Sequence, residues 1–506
     1  MGVFSPRERR FLESVANLGY CNPFLPERVE LERAALGREF VEGGPVWSPS
    51  VSDPNATRPN VLRLHEKLPE AIEAARAKLS SAAEIAADEV TIYEECVHSL
   101  LYQRYYDAFV KAGRNYRFYG RFLEDWNRLT RIPAKSVASE LDPAHVFACF
   151  RQIQRAFNLI YDSIIGNSMA AAQLRASIWQ SIFTHDMRRY RRILYRRMSD
   201  FPTLITGPSG TGKELIARAI AGSRYVPFDA ARMEFADTQA ESFFAINVAA
   251  LSPTLIESEL FGHRRGSFTG AVGDRKGWLE ACGSGSVFLD EMGEMDLALQ
   301  VKLLRVIETR KFSAVGDTAA RDFRGKLIAA TNRDLAAQIR AGHFREDLYY
   351  RLCADRIYTP SMADQLRDSP GVLHELVYYM TLRTVGDEAP QCLPEVERWI
   401  RTQLPADYQW PGNYRELEQC VRNVIIRRTY RPIENPAAPR DGGFSERYRS
   451  GEATADEVLS QYAAHVYRLT GSFEEAARRL QIDRRTVKKK VETYLAASKP
   501  GANTFE

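Results

Sequence analysis

Eight consecutive residues, Gly207-Pro208-Ser209-Gly210-Thr211-Gly212-Lys213-Glu214, follow the apolar stretch PTLIT and precede the helical run ELIARAIA. A strand, a glycine-rich loop and a helix in that order form a phosphate-binding loop. The glycines let backbone N–H groups turn toward the phosphates, the helix N-terminus adds a favourable dipole, and Lys213 can reach the terminal phosphates. The eight residues from Gly207 to Glu214 are therefore the candidate cofactor-binding set for ATP. Glu214 stands where a Ser or Thr hydroxyl usually contacts Mg2+, so the metal must be held somewhat differently.

Downstream, Val287-Phe288-Leu289-Asp290-Glu291 is an apolar strand that ends in two adjacent carboxylates. Such a strand buries its apolar part and delivers both acids to the carboxyl edge of a parallel sheet. Asp290 is the candidate ligand of magnesium, directly or through water. Glu291 would orient and polarise the attacking water, because phosphoryl transfer relies on positioning and charge compensation. Taken alone the pair reads as a solvated acidic loop; with the glycine-rich loop upstream it predicts hydrolysis.

The rest of the chain must supply a sheet for these loops. Short apolar strands at Pro202 to Thr206, Phe244 to Val248, Ser286 to Leu289, Lys326 to Ala330 and Arg356 to Tyr358 alternate with helices, the pattern of a doubly wound parallel α/β domain. Residues 361–430 return to helical spacing, and residues 431–455 have the Pro, Gly and charge content of a linker. On the N-terminal side, Leu64 to Tyr161 is helical in spacing, after a Pro, Ser and Asn-rich loop at residues 43–60. Its last helix is capped by Asp142 and carries Val146, Phe150, Ile153, Phe157, Ile160 and Ile164 at steps of four and three. That seam either joins two protomers or packs on its own domain, and its shortness favours the second.

A length of 506 residues suits about three domains. The expected fold class is multidomain: a mostly helical N-terminal domain over residues 1–163, an α/β P-loop ATPase core over 164–355 with a helical lid over 356–430, the linker at 431–455, and an all-α helix-turn-helix over 456–498. At 45% hydrophobic the chain can fill several cores, and 69 basic against 65 acidic residues leave a net charge of +4, so a nucleic-acid surface must be local. No apolar run approaches the ~20 residues that span a bilayer, and the first residues lack the apolar core of a signal peptide, so no membrane partner and a cytoplasmic location are expected. Seven scattered cysteines without a CxxC read as buried thiols rather than a disulfide or zinc framework.

With these residues in hand, residues 164–430 resemble the AAA+ activators of sigma-54 RNA polymerase, the bacterial enhancer-binding proteins. The resemblance is carried by Ile165-Gly166-Asn167-Ser168, Asn247-Val248-Ala249-Ala250-Leu251, Glu259-Leu260-Phe261-Gly262-His263 and Gly266-Ser267-Phe268-Thr269-Gly270-Ala271. It continues through Gln300 to Arg305, Ala330-Thr331-Asn332, Phe344 to Leu352, and Trp410-Pro411-Gly412-Asn413-Tyr414-Arg415-Glu416-Leu417. It implies that Asn247 is a switch restraining the catalytic glutamate, that Asn332 and Arg415 are the two nucleotide sensors, and that Arg345 and Arg351 reach into a neighbouring subunit's site. The bland reading of the last two is a surface pairing with Glu346 and Asp347. A ring is implied, a homo-oligomer built as a hexamer from dimers. Gly266 to Ala271 resembles the GAFTGA loop that grips sigma-54, with Ser267 in place of alanine; Phe268 offers an apolar contact and Thr269 a hydrogen-bonding tip.

Two stretches look longer than the family's pattern: one with Arg188, Arg189, Arg191, Arg192, Arg196 and Arg197, and one around Tyr225 to Glu241. The arginine run reads as a solvated helix face or ring-interface charge, with nucleic-acid contact as an option. After Cys353 the family's proline- and arginine-rich block is replaced by TPSMADQLRD.

Near the C-terminus, Ser472 with Glu475 reads as a capping box opening the helix Phe473 to Leu480, and a turn leads to a second helix from Arg484. Ala476, Ala477, Leu480, Ile482, Val487, Val491 and Leu495 would fill its core. Arg484, Arg485, Lys488, Lys489 and Lys490, with Thr486, place cations and a hydroxyl at the start of that helix, where a recognition helix meets DNA. The block also resembles the Fis-type domain of these activators. The first 160 residues lack the parallel α/β pattern of a phosphorylated receiver; a helical module answering an unknown signal or partner is expected, with a purely structural domain as the alternative. The whole reads as an ATP-driven activator of sigma-54 RNA polymerase bound to upstream DNA. The alternative is a sigma-54-independent DNA-binding regulator whose ATPase controls oligomerisation.

Overall fold

The computed structural model describes residues 2–44, 46, 58–113, 115–132, 139–236, 242–432 and 453–497. Five apolar segments pair into one sheet: β1 (Thr203–Thr206), β2 (Phe243–Asn247), β3 (Ser286–Asp290), β4 (Lys326–Thr331) and β5 (Asp355–Tyr358), in the order β5-β1-β4-β3-β2. Every pairing is parallel. Parallel strands need crossovers, and the crossovers cover both faces, which is why β4 is buried along its whole length. Side chains alternate between the two faces. Leu204, Val287, Leu289, Leu327 and Ala329 pack with the helices Leu297–Thr309 and Glu346–Leu352. Ile205, Phe288, Ile328, Ala330 and Ile357 share the opposite core with Ile216 and Ile220 of the P-loop helix, Lys213–Gly222.

Among the described residues seven helices of more than ten residues precede this sheet: α1 (Pro6–Leu18), α2 (Pro26–Leu36), α3 (Pro59–Ser81), α4 (Ala87–Lys111), α5 (Tyr119–Thr130), α6 (Pro143–Ser163) and α7 (Met169–Phe183). Proline at the first turn and a preceding cap start several of them: Ser5 and Glu8 close a capping box on α1, and Asp142 accepts from the Ala144 N–H on α6. No strand occurs among the described residues before α7, as the lack of a receiver pattern predicts. The seam of α6 is spent inside its own chain. Val146, Phe150, Ile160 and Ile164 are buried, while Ile153 and Phe157 pack partly against the same cores.

Both apparent insertions turn toward the N-terminal helices. Around Tyr225 the chain forms a small antiparallel hairpin, Phe228–Asp229 with Glu234–Phe235. Phe228 is buried in the N-terminal core against Tyr119 and Phe147, with ring centroids 4.8 and 4.7 Å away. Two members of the arginine run, expected on a solvated face, are bonded to α4. Arg188 makes two bonds to the Glu95 carboxylate, at 2.6 and 2.9 Å, and Arg191 Nη1 donates to His98 Nδ1 at 3.0 Å. Arg189, Arg192, Arg196 and Arg197 stay exposed. N-terminal helices, sheet and the helices that follow thus form one unit through Tyr430.

The segment after β5 begins with a capping box, Ser361 with Asp364, where the proline-rich block was missing. It opens four helices, Met362–Asp368, Val372–Val385, Ala389–Gln403 and Asn413–Arg427, around a core of Val372, Leu376, Val396, Trp410, Leu417 and Val421. The linker expected at 431–455 lies almost wholly outside the described residues, as do the end of the second insertion and residue 498. The described residues of the C-terminal unit form three helices, Ala455–Thr470, Phe473–Leu480 and Arg484–Ala497. No helix of the described residues is long and apolar enough to cross a membrane. All seven cysteines are free thiols; four are buried, while Cys21, Cys353 and Cys392 are half-buried.

Candidate functional site

The glycine-rich loop leaves β1 and meets two other segments at van der Waals limits. Gly207 has φ of 142°, and a Cβ there would fall 2.2 Å from Thr359 Oγ1; Gly210 has φ of 77°, and its Cβ would fall 2.3 Å from the Gly412 carbonyl. Neither position admits a side chain, because left-handed backbone and close approach coincide. Asn413 Nδ2 donates to the Ser209 carbonyl at 2.9 Å, the Tyr414 N–H donates to the Gly210 carbonyl at 3.1 Å, and Arg415 Nη1 donates to Ser209 Oγ at 3.4 Å. The WPGNYREL block is thereby seated on the phosphate loop.

Between them lies a cavity of about 400 Å³, lined by Ser209 to Glu214, Asp290, Glu291, Tyr414 and Arg415, with Ile165 and Met380 on its apolar side. Lys213 is buried and donates to the carbonyls of Gly207 and Pro208 at 3.1 and 3.0 Å. Burial pushes its pKa down, while Glu291 and Asp290 oppose the shift. Asp290 Oδ1 accepts the Glu291 N–H at 3.0 Å. Glu291 itself sits at φ of 53°, a left-handed conformation rare outside glycine, directly after the strand end. Glu214 is exposed and paired to Arg218 at 2.7 Å, and the Thr211 hydroxyl bonds the Pro208 carbonyl and Thr359 Oγ1. Neither stands where the missing hydroxyl would, and Asp290 shares the cavity lining with the phosphate loop.

The remaining expected residues sit at three distances from this cavity. Asn247 lies beside Asp290 in the β2–β3 register, but its Oδ1 caps the next turn through the Ala249 N–H at 2.9 Å, and no bond to Glu291 occurs among the described residues. Asn332 directly follows β4 and is exposed. Arg345 and Arg351 are exposed, outside the cavity lining, and held by Asp347 at 2.6 Å and Glu308 at 3.1 Å; the bland pairing with Glu346 is replaced by Glu308.

The Gly266 to Ala271 loop tops the hairpin formed by Gly262–His263 and Arg275–Lys276. It is folded on itself: the Gly266 N–H donates to the Ala271 carbonyl at 2.9 Å, and the Ala271 N–H to the Phe268 carbonyl at 3.0 Å. Arg264 pins its base to Asp274 and Asp317, at 2.6 and 3.0 Å. Phe268 is half-buried on the His263 ring, with centroids 5.0 Å apart, whereas Thr269 and Gly270 are exposed. Ser267 packs against Gly316, and its Oγ is buried without a hydrogen-bond partner.

In the C-terminal unit Ser472 accepts the Glu475 N–H, but the reciprocal half of the capping box is absent because Arg478 and Arg479 take the Glu475 carboxylate. Ala476, Val487 and Val491 are buried in the core with Ala463, Ala464 and Val466 of a first helix that the sequence reading did not use; the Leu495 side chain lies outside the described residues. Arg484, Arg485, Lys488 and Lys489 are exposed on the last helix. Arg484 pairs with Glu474 and Lys488 with Glu492, while the Thr486 hydroxyl is bonded to Asp483. Lys490 departs from the expected DNA set: it is half-buried and paired with Asp456.

One positioning residue escaped the sequence reading. Arg175 is fully buried in α7 and donates through Nη1 to the Ile164 and Gly166 carbonyls, both at 2.9 Å, fixing the loop that carries Ile165 to the cavity. Its signal was a lone charge in the apolar run MAAAQLRASIWQSIF.

Comparison with known proteins fits this geometry. Residues 182–358 match the family described as the Sigma-54 interaction domain. The chain is 34% identical over 364 residues to the signal-transduction and transcriptional-control protein of Clostridium beijerinckii, covering 68% of this chain and 52% of that one. It is 38% identical to the regulatory protein LuxO of Vibrio vulnificus strain YJ016, covering 54% and 56%, and 37% identical to the transcriptional regulatory protein ZraR of Escherichia coli strain K12, covering 57% and 62%. The chain thus spans about half to three-fifths of these relatives. The matched residues 182–358 hold the five-stranded parallel sheet, the phosphate loop and the Gly266 to Ala271 hairpin, and over them the chain is similar to the Sigma-54 interaction domain.

Proposed function

We propose that this chain binds upstream DNA through its C-terminal unit and uses ATP hydrolysis, in a homo-oligomeric ring, to remodel sigma-54 RNA polymerase at the promoter. The observation that carries the reading is the pairing, in one sigma-54 interaction domain, of a phosphate cradle faced by two carboxylates with a self-bonded GSFTGA hairpin. Lys213, now bonded to two loop carbonyls, exchanges them for phosphate oxygens when ATP enters, and the two nearby carboxylates oppose the downward pull of burial on its pKa. Glu291 orients the water, and Arg415 brings a lid cation to the phosphate loop. Asp290 would hold magnesium, which, when bound, neutralises charge on the phosphate oxygens. Arg345 and Arg351 lie outside the lining of their own cavity, where residues acting in a neighbour's site would be. Asn247 ends β2 and Asn332 follows β4, the strands on either side of β3 and its acidic end, and the two couple the phosphate's presence to Glu291.

Retention of sigma-54 by the purified chain with magnesium, ADP and a metal-fluoride phosphate mimic tests the reading, with Lys213→Ala as control. A complex with wild type alone supports it. A chain that hydrolyses ATP and never retains sigma-54 moves the reading to a DNA-binding regulator whose ATPase controls oligomerisation. Thr269→Ala gives the second arm: promoter opening should be lost while ATP and DNA binding remain.

A further inference from the structure

A second cavity, of about 570 Å³, lies where the N-terminal helices meet α7 and the arginine run. Its walls are aromatic and aliphatic: Tyr102 and Tyr106 of α4, Phe150 and Phe157 of α6, Leu64 of α3 and Trp179 of α7. A volume in this range suits an organic ligand rather than a few waters. Several residues that line it carry a buried polar atom with no hydrogen-bond partner: Tyr20 Oη, His98 Nε2, Gln103 Oε1, Trp179 Nε1 and Arg191 Nε. Buried polar atoms without partners are uncommon and costly, so a group of them around one cavity calls for a partner.

The chemistry of that partner follows from the donors. Arg191 Nη1 can only donate, so His98 Nδ1, 3.0 Å away, accepts, and the proton of the neutral ring sits on Nε2. Burial holds His98 well below its usual pKa, which keeps it in that neutral form. Arg191 also stands 5.2 Å from the Tyr20 ring centroid. Tyr20, His98 and Arg191 therefore stand together at one corner of the lining, each with an unsatisfied donor; Tyr20 O–H and Arg191 Nε–H are the pair a ligand oxygen would meet, while the His98 Nε2–H leaves the ring edge opposite the one that faces Arg191. Arg191 has no ion pair among the described residues, whereas Glu95, on the same wall, is already taken by Arg188. The acidic residue left on the lining, Asp107, belongs to the far end of α4 from His98.

We propose that this cavity binds a flat, largely apolar carboxylate, its ring system against the aromatic wall and its carboxylate at the Tyr20, His98 and Arg191 corner. The site joins the N-terminal helices to the ATPase. Tyr190, on its lining, donates to Gln152 Oε1 at 2.7 Å, and Gln152 Nε2 donates at 2.9 Å to the carbonyl of Ser223, which ends the helix begun by Lys213. Occupancy is thereby read at the far end of the P-loop helix. The binding claim does not depend on the sigma-54 reading.

Calorimetric titration of the full chain with 2-naphthoate, and with neutral 2-naphthamide, tests it. Expected is one saturable site per chain for naphthoate, at least about tenfold tighter than naphthamide. Arg191→Gln should weaken naphthoate by about tenfold or more while leaving naphthamide unchanged. Val61→Trp, which adds bulk from the half-exposed rim without touching the donors, should abolish both and remains decisive if Arg191→Gln does not fold. No saturable naphthoate binding at about 1 mM, equal affinity for the amide, or undiminished binding by a folded Val61→Trp overturns the proposal.

Discussion

The two cavities of the N-terminal unit are built by opposite means. The phosphate-loop cleft is built around three short contiguous blocks, Ser209 to Glu214, Asp290-Glu291 and Tyr414-Arg415, with single residues such as Arg218 and Arg383 at its side. The second cavity draws on residues and adjacent pairs one or two helical turns apart on α1, α2, α3, α4, α6 and α7, on the turn after α1 and on the arginine run. Its sequence signature is indistinguishable from ordinary core packing. A site made of backbone N–H groups and strand ends needs glycines and acids at set spacing, whereas a site made of side chains from several helices needs only that those helices meet.

The largest effect expected falls on the contiguous site. Lys213→Ala should cut ATP hydrolysis by about a hundredfold or more, seen in phosphate release, because the charge facing the phosphates is lost with no backbone substitute. Gly210→Ala should follow: its Cβ would meet the Gly412 carbonyl at 2.3 Å in a left-handed conformation, costing about 2 kcal/mol in chemical unfolding and loosening the lid block. If that substitution is harmless, the seat of the WPGNYREL block on the loop is wrong.

Between the cavities, Tyr190→Phe should cost about 1 to 2 kcal/mol of stability, by leaving Gln152 Oε1 buried without its donor. Ser267→Ala should change stability in the other direction, by roughly 1 kcal/mol in thermal unfolding, since it removes a buried hydroxyl that has no partner against Gly316. The same substitution restores the family's alanine, so a gain in stability without a gain in sigma-54 retention would mark Ser267 as a local packing difference. The gentlest trend is in pH. His98 is held neutral in the folded chain, its pKa well below 6.5, so below that pH the unfolded chain binds the extra proton. Stability from this group is complete above about pH 6.5 and is lost as pH falls toward the folded value, and His98→Gln should flatten that slope in melts between pH 7 and 5.

Legibility followed the same division. The strands were visible to within a residue or two because parallel strands covered on both faces read as apolar runs ending in loop or acidic residues. The phosphate loop, Asp290 and Glu291 were legible because their spacing is tied to the backbone they must adopt, whereas Arg415 was reached through the resemblance of its block. Arg188 and Arg191 were misread: a run of arginines looks solvated until α4 brings Glu95 and His98 to it. Lys490 was grouped with its basic neighbours, although the helix turns it toward Asp456. Glu475 kept its helix but not its box, since Arg478 and Arg479 lie within its reach on the next turn.

By itself, then, the sequence determined the β1 strand, its glycine loop and the helix after it, the acidic end of β3, the resemblance of the lid block and GSFTGA loop to the sigma-54 activators, and the order of helical and α/β regions. These depend on neighbours within a turn or a strand, where local backbone geometry dictates residue type. Only the tertiary structure decided that Phe228 and the arginine run clamp the N-terminal helices, that Arg175 carries the Ile165 loop, and that Tyr20, His98 and Arg191 share one corner. Those contacts join residues separated by 9 to more than a hundred positions, and no local preference of the chain encodes which helix faces will meet.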